Sequence, residues 1–152
     1  MTTPTLKAQL RSDLTTAMKE RNELHSATLR MALAAITNEE VAGKVARELS
    51  DDDVIKVLGR EVKKRKEAAE AFAGAGRAQQ AEREEAEGRV LSAYLPAQLT
   101  DEELNALVAA AVAEAGAEGP KAMGAVMKVL TPRVAGRADG SRVAAAVRAA
   151  LS

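Results

Sequence analysis

Lys121, Gly124 and Lys128 fall on one flank of a helix drawn at about 100° per residue, so two ammonium groups bracket a position that has no side chain. Such a surface lets a phosphate approach the backbone while both lysines neutralise it. The same glycine would also let a second helix pack closely, and the spacing leaves both uses open. Downstream, Arg133, Gly136, Arg137, Gly140 and Arg142 crowd a short connection. Gly136 can take the positive φ of a helix stop, and Asp139 can cap the helix that follows. The amides at that helix start form an anion site by geometry, which the Asp139 carboxylate partly opposes. A second basic face, Lys56, Arg60, Lys63 and Lys64, continues through Arg65 and Lys66, with Glu61 as its acidic member. Runs of this kind are commonly solvated faces.

The charge balance of the whole chain is even, with 22 basic and 22 acidic residues among 152. A uniformly basic nucleic-acid protein is therefore excluded, and any steering must arise from local asymmetry. That asymmetry exists in the final third. Asp101, Glu102, Glu103, Glu114 and Glu118 precede Lys121, whereas Lys121, Lys128, Arg133, Arg137, Arg142 and Arg148 are opposed by Asp139 alone. Phe72 and Tyr94 are the only aromatic residues. That scarcity argues against stacking of single-stranded bases and leaves backbone and shape recognition of a folded RNA. The chain has no cysteine, and His25 is its one histidine. Thiolate chemistry is excluded, and a Ser-His-Asp arrangement would have to be built around His25. No Walker loop, dinucleotide fingerprint or zinc ligand set is present, so neither cofactor nor metal is expected. The opening MTTPTLKAQL lacks the basic start and apolar core of a leader, and no run approaches the roughly 18 apolar residues of a membrane span. A soluble cytoplasmic protein is expected.

These residues need elements to position them, and the periodicity is helical throughout, which predicts an all-α fold. Leu6, Leu10, Leu14 and Met18 mark a first helix. After a break at Asn22, Leu24, Met31, Leu33 and Ile36 mark a second, which ends near Gly43. Ser50 followed by Asp51, Asp52 and Asp53 reads as a capped helix start with acids at the positive end of the dipole, which accounts for the three aspartates without a metal. The third helix runs from about 51 to 73. Ile55, Leu58, Val62, Arg65, Ala69 and Phe72 form its seam, with Arg65 as the polar interruption, facing the core or a partner helix. A fourth helix, about 77 to 92, is polar in its first half and gains apolar contact from Val90, Leu91, Tyr94 and Leu95.

Pro96 interrupts, and Thr100 to Glu103 is a capping box. This places a boundary between an N-terminal helical domain of about four helices, residues 1–95, and a three-helix domain, residues 96–152. Leu104, Leu107, Val108, Ala111, Val112 and Ala115 give the first helix of the second domain, which stops at Gly116. Pro120 opens the next helix, whose apolar face is Met123, Val126, Met127, Leu130 and Val134, and a kink or stop is expected near Leu130 because Pro132 cannot donate to the Lys128 carbonyl. Val143, Val147 and Leu151 mark the last helix.

Three stretches, LRMALAAITNEE from Leu29, YLPAQLTDEEL from Tyr94 and MGAVMKVLTPRVAGRADGSRV from Met123, resemble the YqeY family. That family is similar to the C-terminal tail of the B subunit of glutamine-dependent aspartyl/glutamyl-tRNA amidotransferase. The resemblance spans nearly the whole chain. It implies a helical domain followed by a three-helix tail, an association with tRNA, and possible company with the amidotransferase or other translation-related proteins. It also carries the family label of a carbon–nitrogen ligase with glutamine as amido-N-donor, yet the residues supply no nucleophile with its base and no nucleotide or metal ligands. The expected function is a non-catalytic tRNA- or RNA-binding accessory module. The alternative is an amidotransferase-associated protein or interaction helper, docking through the third-helix seam or the fourth helix.

Overall fold

A computed structural model describes residues 3–116 and 118–152; Met1 and Thr2 of the opening MTTPTLKAQL lie outside them. Among the described residues there is no strand. The elements are α1 (Leu6–Lys19), α2 (Glu23–Glu40), α3 (Asp51–Gly74), α4 (Ala78–Ser92), α5 (Asp101–Ala115), a 3₁₀ turn (Pro120–Ala122), α6 (Met123–Val134) and α7 (Gly140–Leu151). The fold is all-α. The chain divides into two compact units, Met1–Leu95 with α1 to α4 and Pro96–Ser152 with α5 to α7.

Polar side chains start five of the helices, at the expected caps Ser50, Thr100 and Asp139 and also at Thr5 and Asn22. Thr5, Asn22, Ser50, Thr100 and Asp139 each accept an amide of the first turn, satisfying donors that helix geometry leaves without partners. At Thr100 the box is complete: the Glu103 carboxylate accepts the Thr100 amide at 3.1 Å, and this bond first of all holds its carboxyl below the ordinary range. α3 ends in a Schellman stop. Gly76 has φ of 75°, its amide donates to the Ala73 carbonyl, and the Arg77 amide donates to Phe72. The short connection returns α4 antiparallel along α3.

The first unit packs around Leu10, Leu29, Ile36, Val54, Val57, Leu58 and Leu91. Val54 and Val57 are enclosed where Ile55 is only half-buried, so the buried face of α3 is rotated from the expected seam at its start. Met18 and Met31, expected on apolar faces, are 43% and 38% exposed. The Tyr94 hydroxyl donates to Asp13 across the unit, and burial first, then this carboxylate, raises the phenol above its usual range.

Glu40, at the end of α2, gathers the connection to α3. Its carboxylate accepts Lys7 Nζ at 2.7 and 2.9 Å and the Leu49 amide at 3.3 Å, while its carbonyl accepts the Arg47 amide at 3.0 Å. The Lys7 bond, against the opposing effect of burial, holds this carboxyl below the ordinary 4.5. A carboxylate with a depressed pKa contributes stability above its unfolded-state value and loses it as pH falls through the folded value. Urea unfolding followed against pH should therefore show stability declining below about pH 4.5. The decline should be shallower in Lys7→Met. Identical acid dependence in that variant would show that the pair contributes nothing.

The second unit packs α5, α6 and α7 around Leu104, Val108, Val126, Leu130, Val143 and Val147. Gly116 stops α5 with φ of 62°. Two expectations are corrected here. Pro120 opens the 3₁₀ turn, and α6 begins only at Met123. Nor does α6 stop near Leu130; it continues through Pro132 to Val134. Pro132 is exposed and lies in the last turn, so it removes one intrahelical bond, that to the Lys128 carbonyl, and Lys128 is itself exposed, where water can replace the missing donor. Thr131 Oγ also donates to the Met127 carbonyl at 2.7 Å.

Candidate nucleic-acid interface

Lys121 sits on the 3₁₀ turn, Gly124 in the first turn of α6 and Lys128 one turn further on, and all three are exposed. A Cβ added at Gly124 would meet nothing within 4 Å. The close helix packing that this glycine could have served is therefore not realised within the chain. Neither lysine has a hydrogen bond or ion pair among the described residues.

The arginines downstream are placed differently. Arg133 is paired with the Glu114 carboxylate on α5, and Arg142 Nη2 with Asp101 at 2.7 Å. Arg137 and Gly136 clasp the segment leading into α5. The Leu99 amide donates to the Arg137 carbonyl at 2.8 Å, Gln98 Nε2 to the Gly136 carbonyl at 2.9 Å, and Arg137 Nε to the Ala97 carbonyl at 3.4 Å. Gly136 takes φ of 74°, where other residues are strained. Gly140 opens α7, and the Asp139 carboxylate accepts both the amide and the hydroxyl of Ser141, at 3.2 and 3.0 Å, filling the place an external anion would take. Apart from exposed Arg148, the basic final third is thus two things: an exposed lysine–glycine–lysine edge, and three arginines already bonded to α5 or to the segment before it.

On α3, Lys56 is exposed, Arg60 Nη2 pairs with Glu39 at 3.3 Å, Lys64 with Glu61 at 3.7 Å, and Lys63 is also engaged. Arg65 leaves this face altogether. It is buried against α4, with Glu61 and Glu87 carboxylates each at 3.6 Å. Glu87 in turn accepts Arg83 Nε at 3.1 Å, and Arg83 grips Glu23 at 2.9 and 3.2 Å. The two carboxylates, Glu23 first, raise the Arg83 pKa, and the same contact lowers that of Glu23.

His25 is exposed in the first turn of α2. Among the described residues, no three His, Asp or Glu side chains cluster as a metal site, and no helix is long and apolar enough to cross a membrane. Sequence reasoning missed the Gln98–Gly136 clasp, the Lys7–Glu40 staple and the Glu87 partner of Arg65. The acid at helix end Glu40 was the one local hint; the others join residues far apart in the chain.

Fold and surface together define a small all-α protein of two helical units, the second of which displays a lysine-flanked backbone edge. The chain belongs to the YqeY family: the family model described as Yqey-like protein matches residues 7–151. A protein of Schizosaccharomyces pombe, itself described as uncharacterised, is 38% identical over 94 residues, covering 61% of this chain and 74% of that protein.

Proposed function

We propose that this chain is a non-catalytic RNA-binding accessory protein, with tRNA as its first candidate partner, and that Lys121, Gly124 and Lys128 meet the RNA backbone. The observation that carries this reading is the contrast in the second unit. The two lysines are exposed and unpaired around an open glycine, while Arg133, Arg137 and Arg142 already have protein acceptors. The resemblance of residues 123–143 to the amidotransferase tail supports the same partner. Scarce aromatic residues suit contact with phosphates of a folded RNA better than base stacking. The alternative, docking of an amidotransferase or other protein on the α3 seam, has less support, because α4 already covers Arg65 and Ala69 there.

Each ammonium that neutralises a phosphate releases a counterion, so binding weakens with salt in proportion to the number of such contacts. Titrating labelled tRNA at several salt concentrations should give a clear slope. Combining Lys121→Ala with Lys128→Ala should weaken binding and flatten that slope by about two, one for each lost contact. Unchanged affinity and slope would remove this surface from consideration.

A further inference from the structure

Met31 of α2 and Arg65 of α3 meet in the first unit. The Met31 sulfur lies 3.4 Å from Arg65 Nη2. The methionine is 38% exposed, whereas the arginine is only 7% exposed. That guanidinium is incompletely satisfied. Nη1 donates to the Glu61 carbonyl at 3.2 Å, the two carboxylates stand at 3.6 Å, and buried Nε has no hydrogen-bond acceptor. Nη2 faces a thioether, a weak acceptor, so a stronger one at the same place would stabilise a buried charge. Both residues line an open groove walled also by Ala34 and Ala35. A small oxidant can reach the sulfur, and the groove has room for one more oxygen.

We infer that Met31 is a site of reversible oxidation by peroxides, and that the Arg65 guanidinium holds the product. With hydrogen peroxide, the sulfur attacks one oxygen, the O–O bond breaks as the S–O bond forms, and the departing hydroxide takes the proton of the transferred oxygen and leaves as water. The sulfur thereby loses two electrons and the peroxide gains them. The sulfoxide oxygen then accepts from Nη2, replacing a weak acceptor by a charge-assisted one. Sulfoxide formation ordinarily disrupts a packed methionine. At Met31 the effect has the opposite sign, because the new oxygen faces a buried cation short of acceptors. Met18 provides the comparison within the same chain. Its sulfur lies 3.1 Å from Arg30 Nη2, but Arg30 is exposed, where solvent can supply acceptors and a new oxygen gains little.

The full chain in a Met18→Leu background, treated with hydrogen peroxide, should be followed by peptide mass spectrometry and thermal unfolding. Met31 should convert faster than the half-buried Met123 and Met127. The unfolding midpoint should hold or rise by about a degree or more as Met31 converts, and a methionine sulfoxide reductase should restore the starting value. Met31→Gln, which supplies an amide oxygen, should hold the midpoint without peroxide. Reaction at Met31 no faster than at Met123 and Met127, or a midpoint that falls as Met31 converts, overturns the inference.

Discussion

Arg65→Met should destabilise the first unit by about 3 kcal/mol, because breaking a buried ion pair leaves charge behind without compensation. The side chain is enclosed between Glu61 on its own helix and Glu87 on α4. Breaking such pairs typically costs about 3–5 kcal/mol, and the low end applies here for a specific reason. Glu87 keeps Arg83 at 3.1 Å and Glu61 keeps Lys64 at 3.7 Å, so neither carboxylate is wholly abandoned. Methionine also retains most of the stem that packs between the helices. Urea unfolding measures the loss directly, and in a unit of this size the midpoint should drop on the order of 10–20 °C. Adding Glu87→Gln to Arg65→Met should recover part of the loss, since it removes the carboxylate left facing the gap. A loss below about 1 kcal/mol would instead describe a solvated surface pair.

The second large effect is expected at Leu130, fully buried where α6 meets the rest of its unit. Leu130→Ala removes buried apolar surface and leaves a cavity, a change that costs about 2–5 kcal/mol. A helical unit as small as Pro96–Ser152 has a total stability of the same order, so the variant should be substantially unfolded there. Amide exchange protection at Val126 and Val147, both enclosed in the same core, should collapse. Under the proposed function, tRNA affinity should fall with it, because Lys121 and Lys128 would lose the scaffold that sets their spacing. Retained protection at both amides would show that the unit collapses around the cavity more completely than its packing suggests.

The two variants separate what was legible in the chain from what was not. Arg65 stood out in the sequence as a cation interrupting an apolar seam, and it is buried at that position. Glu87 did not stand out, because it lies among the glutamates of a polar helix and only the antiparallel return of α4 brings it to Arg65. Leu130 could be placed in a core from its spacing with Val126 and Val134. The stop expected near Leu130 from Pro132 does not occur, because the helix continues through this exposed proline to Val134.

The candidate site divides in the same way. Lys121, Gly124 and Lys128 could be placed on one flank from spacing alone. Their freedom from partners, and the open space at Gly124, could not. The arginines around Gly136 carried the same formal charge in the sequence. Their partners are 19 residues away for Arg133 and 41 for Arg142.

The all-α class, the break at Asn22, the caps at Ser50, Thr100 and Asp139, and the stops at Gly116 and Gly136 were legible in the sequence. These depend on dihedral preferences and hydrogen bonds among near neighbours, which a short stretch of chain specifies. Helix packing sets which cations remain unpaired, which carboxylates hold the others, and where Arg65 lies. A charge has no fixed partner until helix packing brings distant residues within a few ångströms, and the Coulombic attraction between two charges depends on that distance and on their burial.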